Sequence, residues 1–221
     1  MYLYGTSEGR EDSVKASCYL RCLYINLKRN SLPHILAAAA LTFTVPLVFS
    51  LTSLSAPLSA QPLEMYLPLA GALLLTPVFL PEQSEDIRDV VRVRRMSYLS
   101  VCAMRIMYLT VITAVLYGII TAALVSGEST VTSAHFFGGF FTALFLGSLG
   151  VAGSAVGGNA VIGYMASLLY FTANFFLKTR LGVFFLFGLS FETGVSKLWL
   201  LAGAAALMMI SFLYLRLVKK L

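Results

Sequence analysis

Long apolar stretches constrain this chain more than any other feature of its sequence. An α-helix rises about 1.5 Å per residue, so about 20 apolar residues cross the hydrocarbon core of a bilayer. Stretches of this kind predict six spans, at residues 36–54, 65–80, 98–125, 135–156, 161–177 and 198–217. Only 12% of the 221 residues are charged, whereas soluble domains are about 25% charged. We therefore expect an all-α polytopic membrane protein, folded as one domain over residues 1–221.

The basic residues indicate how such a protein is oriented. Thirteen of the 16 Lys and Arg residues fall on one side of the six-span topology, and the other side has Lys178, Arg180 and Lys197. Because Lys and Arg are enriched in cytoplasmic loops, both termini are predicted to be cytoplasmic. The same bias explains the formal net charge of +6 without a nucleic-acid partner. The lipid bilayer is the expected partner of the spans and of the basic residues that flank them.

Three prolines, Pro46, Pro68 and Pro77, lie inside the predicted spans. Proline has no backbone N–H and interrupts the hydrogen bonding of a helix. Inside a bilayer, the carbonyls that proline frees need another donor. We therefore expect local kinks, with donors supplied by neighbouring helices.

The segment before the first span, residues 13–30, has the pattern of an amphipathic helix. One face carries Ala16, Tyr19, Leu20, Leu23, Tyr24 and Leu27, and the opposite side carries Lys15, Arg21, Lys28 and Arg29. A helix of this kind lies in the membrane interface. The segment is predicted to be a cytoplasmic interfacial helix, which either only anchors the chain or also contacts a cytoplasmic partner.

A short, densely charged segment, PEQSEDIRDVVRVRRMSY, separates the second and third predicted spans. The helical face that includes Arg94 carries the apolar residues Ile87, Val90, Val91 and Tyr98. The acidic residues precede the arginines, an order that the helix macrodipole favours. The segment is too polar to cross a bilayer, so it is predicted to be a helix on which a soluble partner docks. A solvated loop with one helical turn is the alternative.

Residues 178–197, between the fifth and sixth predicted spans, carry a run of aromatic residues between Gly182 and Gly188. The run is too short to span a bilayer and faces the outside in this topology. Because irregular backbone is not tolerated against lipid, we expect an outer re-entrant hairpin packed against protein. An aromatic anchor at the outer interface is the alternative.

A glycine-rich stretch, GSLGVAGSAVGG at residues 147–158, lies in an apolar span. It has no Lys and therefore does not fit a phosphate-binding loop. Gly153 and Gly157 form a GxxxG pair, and further small residues continue to Gly163. This pattern permits the close approach of another helix, in the same chain or in a second one.

Charged residues are nearly absent from the predicted spans. Arg105 either extends to the cytoplasmic interface or contributes to a transport pathway, and Asn159 and Asn174 are the other polar residues of note. The sequence has no catalytic motif, and Cys18 and Cys22 lack a nearby His that would complete a metal site. Proton-driven carriers keep acidic or His residues in mid-membrane. The scarcity of such residues argues against a secondary carrier.

The order of these elements resembles the membrane subunit of a type-2 ABC transporter, a family that consists mostly of exporters. Its members have an interfacial helix, two spans, a cytoplasmic coupling helix, three more spans, an outer re-entrant element and a last span. The local resemblance lies in FLPEQSEDIRDVVRVRRMSYLSVCAMRI, where Glu82 follows the second span and a short helix leads through Ser97 to Arg105. The usual Glu-Arg pair of the family reads Glu82-Gln83 here, and its Gly-Thr and its proline before the third span are absent.

The resemblance implies that residues 82–97 are a coupling helix that docks on a separate ATPase subunit. The residues that would form this contact are Glu82, Glu85, Ile87, Arg88, Val90, Val91 and Arg94. Two ATPase copies, which bind ATP and Mg, and a second permease chain, identical or related, are implied as partners. This chain has no G-x-x-x-x-G-K-[ST] motif, so it is expected to be neither an enzyme nor a cofactor-binding protein.

The function implied by the resemblance is ATP-driven export across a bacterial plasma membrane. Because the spans carry few charges, we expect an apolar or amphipathic cargo, such as a peptide, a drug or a lipid-like molecule. Two alternatives remain open: a channel or secondary carrier that works without ATP, and an accessory membrane protein such as an immunity or sensor subunit.

Overall fold

The computed structural model describes residues 24, 26–83, 98–194 and 196–217, and this part of the chain has an all-α fold. Its six apolar helices are α1 (Leu32–Val48), α2 (Ala56–Phe79), α3 (Tyr98–Ser126), α4 (Ser133–Gly157), α5 (Ala160–Leu177) and α6 (Leu198–Leu217). A π-helical turn, Leu27–Ser31, precedes α1. A 3-10 helix, Lys178–Phe184, follows α5.

Five of these helices, α2 to α6, are long and apolar enough to cross a membrane. The prediction of an all-α fold is confirmed, and five helices of this length and composition agree with a multi-pass membrane protein. The first predicted span, residues 36–54, differs, because α1 is a shorter apolar helix that ends at Val48. A turn at Thr44 interrupts it two residues before Pro46, which has no backbone N–H to continue the helical bonding.

The helix α2 begins at Ala56, well before residue 65, where the second span was predicted to start. Pro57 lies in the first turn, where a helix requires no N–H. The following residues form a π-helical turn, Pro62–Tyr66, and continue into the rest of the helix. Glu64 is therefore inside a candidate membrane span and is fully buried, although the second span was predicted to begin one residue after it.

The helices α2 and α4 form the interior of the bundle. In α2, 78% of the 18-residue apolar stretch is buried inside the protein, whereas only 22% of the corresponding stretch is buried in α5 and in α6. The helix α4 packs against α2, α5 and α6. The apolar side chains that α3, α5 and α6 expose include Met107, Val111, Leu168, Leu169 and Met209. An apolar outer surface of this kind suits lipid as the solvent.

Small residues on α4 allow its neighbours to approach its backbone closely. A Cβ atom added to Gly163 of α5 would lie 2.3 Å from the carbonyl oxygen of Gly150, and one added to Gly150 would lie 2.0 Å from Oγ1 of Thr76. Gly153 and Gly157 also face α5: a Cβ added to Gly153 would lie 3.0 Å from Cα of Gly163, and one added to Gly157 would lie 2.6 Å from Cδ1 of Ile162. The predicted close helix packing is thus found within the chain. The same glycines therefore give no separate support to a contact with a second subunit.

Two prolines of α2 show how freed carbonyls are satisfied. Pro77 cannot donate to the carbonyl of Leu73, four residues earlier, and the hydroxyl of Tyr164 donates to that oxygen instead at 3.2 Å. Pro68 cannot donate in π-helical register to the carbonyl of Leu63, which accepts from the hydroxyl of Tyr117 at 3.1 Å. Donors from neighbouring helices therefore fill both positions, as the proline pattern predicted.

Replacing Tyr117 with phenylalanine is expected to lower the free energy of unfolding by about 1 kcal/mol, because the buried carbonyl of Leu63 loses its hydroxyl donor. The melting temperature of the purified protein in detergent measures the effect. Tyr24→Phe is the matched control, since Tyr24 is 59% exposed. Equal melting temperatures for the two variants would contradict the role assigned to the Tyr117 hydroxyl.

Candidate functional site

Residues 178–197, which we call the hairpin, close the end of the bundle where α5 ends and α6 begins. The chain leaves the 3-10 helix Lys178–Phe184 and continues through turns before it reaches α6. Three consecutive side chains are at most 1% exposed, those of Phe185, Leu186 and Phe187. They belong to one apolar cluster with Phe145, Leu146, Phe171 and Leu200. The hairpin therefore packs against protein, as the sequence predicted.

Glu64 of α2 holds the tip of the hairpin. Its carboxylate accepts hydrogen bonds from the backbone N–H of Leu189, 3.1 Å from each oxygen, and from that of Ser190, 2.8 Å from Oε2. The hydroxyl of Ser190 also donates to Oε2, at 2.9 Å. Burial of a carboxylate is costly unless its oxygens are paired, and these donors provide that pairing.

Lys197, the residue before α6, supplies the opposite charge. Its Nζ atom lies 2.5 Å from Oε1 of Glu64 and also donates to the carbonyl oxygen of Leu186. The Lys197 side chain is 9% exposed and that of Glu64 is 0% exposed. Burial lowers the pKa of Lys197 from its ordinary value, while the Glu64 carboxylate acts in the opposite direction. The two side chains form a buried ion pair that ties α2 to the start of α6.

Polar side chains of α5 hold the other part of the hairpin. The Oδ1 atom of Asn174 accepts from the backbone N–H of Leu186 at 2.9 Å, and its amide group donates to the carbonyl of Tyr170. The hydroxyl of Tyr170 donates to the carbonyl of Phe184 at 2.8 Å. Asn174, which the sequence singled out for a pathway or for packing, is fully buried and binds the hairpin backbone.

The contacts of Glu64, Lys197 and Asn174 are suited to positioning the backbone of the hairpin. Both oxygens of Glu64 are occupied by N–H, O–H and ammonium donors from the hairpin and Lys197. Within the described ranges, no group of three or more His, Cys, Asp or Glu side chains could hold a metal ion. The polar groups of this site thus attach the hairpin to α2 and to the start of α6.

Arg105 lies at the opposite end of the bundle and is only 6% exposed. Its Nε and Nη2 atoms donate to Oδ1 of Asn26, at 3.1 and 2.7 Å, and Nη1 donates to the carbonyl of Val78 at 2.9 Å. Pro81, three residues after Val78, has no N–H to offer that carbonyl. Arg105 therefore packs inside the protein and joins α3 to the end of α2 and to the residues before α1.

The remaining sequence candidates fall into two groups. Asn159 is exposed and caps α5, because its side chain accepts from the N–H of Val161 at 2.9 Å. Tyr24 is 59% exposed, with Nζ of Lys28 5.8 Å from its ring centre, and Leu27 is half-buried. Outside the described residues, or described only in their backbone, are Tyr19, Leu20, Leu23, Glu82, Glu85, Ile87, Arg88, Val90, Val91 and Arg94.

The Glu64–Lys197 pair is the feature that sequence reasoning missed. Glu64 was placed just outside the second predicted span and was not connected with Lys197. A usable signal was present, because the two residues are predicted to be on the same side of the membrane and opposite in charge.

His135 is a second polar anchor at the hairpin end of the bundle. Its Nδ1 accepts from the backbone N–H of Thr132 at 3.1 Å, so Nε2 carries the proton that it donates to the carbonyl of Ala56 at 3.0 Å. This contact ties the start of α4 to the start of α2. The spacing from Thr132 to His135 is that of a capping box, which is a signal visible in the sequence.

Comparison of the chain with protein-family models, with curated proteins and with solved structures found no match.

Proposed function

We propose that this chain is the permease subunit of an ATP-driven ABC exporter, and that it works with a separate ATPase subunit in a plasma membrane. The order of its elements supports this proposal. In it, α1 is the first of six crossings: its apolar residues, Leu32–Val48, are about 26 Å long, and the polar turn Leu27–Ser31 continues the helix towards the cytoplasm. Both termini then lie in the cytoplasm, together with the charged segment at residues 82–97.

The observation that carries the proposal is the hairpin between α5 and α6. The permeases that this sequence resembles have an outer re-entrant element at this point of the chain. Here the hairpin is folded into the end of the bundle, with Phe185 and Phe187 buried and its backbone bound by Glu64 and Asn174. Because irregular backbone at membrane depth must be packed against protein, this attachment suits a re-entrant element.

One observation favours the alternative of a secondary carrier. Glu64 and Lys197 place two ionisable groups in or beside the membrane-spanning part, where the sequence indicated almost none. An acidic residue in a span is the usual site of proton or ion coupling. Because the Glu64 oxygens are already occupied by the hairpin, a coupling ion would have to displace it. We therefore prefer a structural role for Glu64 and an external energy source.

The cargo in this proposal is apolar or amphipathic. The cluster next to the hairpin is built from aromatic and aliphatic side chains such as Phe145, Phe171 and Leu200. A small hydrophilic solute would find few partners there. Transport into inverted vesicles of a panel of peptides, drugs and lipid-like molecules tests this part of the proposal, and exclusive transport of a hydrophilic solute would contradict it.

Replacing Val90 and Val91 together with aspartate is expected to reduce the amount of ATPase that co-purifies with this chain by at least about tenfold. The charged segment at residues 82–97 would lose its apolar ridge, and burying a carboxylate without a partner in the contact with the ATPase costs about 4 kcal/mol. The measurement is mass spectrometry of the complex that is purified from the native host in mild detergent.

Val93→Asp is the matched control, because Val93 lies off the apolar ridge of the same predicted helix. The parent complex is expected to contain two ATPase chains and two permease chains, identical or related. If no ATPase co-purifies with the parent chain, the proposed function is wrong. If the double variant retains as much ATPase as the control, the role of residues 82–97 is wrong.

A further inference from the structure

Two glycines in an unusual backbone conformation delimit the inner part of the hairpin. Gly182 has a φ of +56° and Gly194 a φ of +66°, and a Cβ added to either residue would meet nothing within 4 Å. Packing therefore does not require glycine at these positions, and the backbone conformation does. Exposed glycines of this kind can absorb large changes of φ and ψ, which is the property of a hinge.

The residues between the two glycines cover an apolar recess of the bundle, which we call the seat. Phe185, Leu186 and Phe187 fill it, and its walls include Phe145 of α4, Phe171 of α5 and Leu200 of α6. Apolar contacts of this type depend little on direction, so they do not by themselves fix the position of a loop. Directional contacts fix it. Asn174 and Tyr170 of α5 bind the backbone at Leu186 and Phe184, and the contacts at the tip, which tie the hairpin to α2, come from Glu64.

We propose that residues 182–194 form a lid that opens about Gly182 and Gly194, and that Glu64 together with Lys197 is the lock that keeps it shut. Glu64 belongs to α2, while the N–H groups that it binds and Lys197 belong to the lid and to the start of α6. A relative movement of α2 and α6 therefore acts directly on the lock. Opening exposes the seat, whose aromatic and aliphatic walls accept an apolar molecule.

The lid is inferred from this geometry alone. If the chain is an exporter, opening of the lid would release cargo, and that role rests on the proposed function. The test therefore measures opening and does not need transport. In a background in which Cys18, Cys22 and Cys102 are replaced, Leu186→Cys places a thiol in the seat, and Ala60→Cys places one elsewhere in α2. Both parent side chains are 0% exposed. N-ethylmaleimide, which crosses membranes, labels each thiol in purified protein, so the result does not depend on orientation.

With Glu64→Gln, the thiol at position 186 is expected to react at least about tenfold faster, because the neutral amide keeps only one of the two acceptor oxygens and offers no counter-charge to Lys197. The thiol at position 60 is expected to keep its rate. Glu64→Asp, which retains the charge, is expected to give a smaller increase. Ser190→Ala removes a single donor and is expected to change the rate in the same direction, which keeps the test usable if Glu64→Gln does not fold.

An unchanged rate at position 186 in Glu64→Gln and in Ser190→Ala would overturn the proposal. An equal acceleration at positions 186 and 60 would also overturn it, because that result indicates general loosening of the fold. The exchanged pair Glu64→Lys with Lys197→Glu gives a further criterion. It restores opposite charges but puts no acceptor on α2 for the N–H groups of Leu189 and Ser190, so the thiol at position 186 is expected to remain fast.

Discussion

Replacing Gly163 with valine is expected to leave little correctly folded protein. A Cβ at this position would lie 2.3 Å from the carbonyl oxygen of Gly150 and 2.8 Å from Cγ2 of Thr76. The nearest obstacle is backbone, which cannot turn aside as a flexible side chain can, so α4 and α5 must separate. Overpacking typically costs about 1–3 kcal/mol, and we expect about 3 kcal/mol or more here.

The measurement is the melting temperature of the detergent-solubilised protein, together with the fraction that elutes as a single species in size-exclusion chromatography. Gly118→Val is the matched control, because a Cβ at Gly118 of α3 meets nothing within 4 Å. The control is expected to change the free energy of unfolding by less than about 0.5 kcal/mol. Equal behaviour of the two valine variants would show that α4 and α5 do not approach each other as closely as the structure indicates.

Gly163 also illustrates what the sequence could and could not predict. Small residues at a spacing of four were visible, and they indicated close helix packing. Their partner was not visible, because the same pattern serves contacts within a chain and between chains. The structure assigns Gly150 and Gly163 to each other and to Thr76. These glycines therefore do not support the proposed second permease chain, which follows only from the implied pair of ATPase copies.

The long apolar helices were the most predictable part of the fold, because bilayer thickness fixes the length of an apolar run. The start of α2 was not predictable by this rule. Residues 56–64 contain prolines and Glu64, which locally favour a loop, and the helix persists there because partners distant in sequence satisfy it. Tyr117 donates to the carbonyl that Pro68 leaves free, and Lys197 neutralises Glu64.

The two candidate sites differ in the same respect. The charged segment at residues 82–97 was predicted from a local pattern of charge and apolar spacing, and its residues 84–97 lie outside the described part of the chain. Its role therefore stays a prediction. The Glu64–Lys197 site has no local sequence pattern, because the residues that bind Glu64 lie at least 125 positions further along the chain. Only the three-dimensional arrangement brings them together.

Replacing Lys197 with methionine is expected to cost about 3–5 kcal/mol of unfolding free energy, because it leaves the Glu64 carboxylate buried without its positive partner. Glu64 is 0% exposed and cannot reach water without moving the hairpin. The loss is measured as a shift of the melting temperature in detergent. Lys178→Met, at an exposed lysine of the same hairpin, is the control and is expected to have little effect.

Adding Glu64→Gln to Lys197→Met is expected to recover part of this loss, although each substitution alone is destabilising. The double variant contains no unpaired buried charge, and the glutamine carbonyl can still accept from the N–H groups of Leu189 and Ser190. A double-mutant cycle over the four proteins therefore gives a coupling energy that favours the native pair and the doubly neutral pair over either single variant. If the two losses simply add, Glu64 and Lys197 do not act as an ion pair, and Glu64 holds the hairpin only through its hydrogen bonds with Leu189 and Ser190.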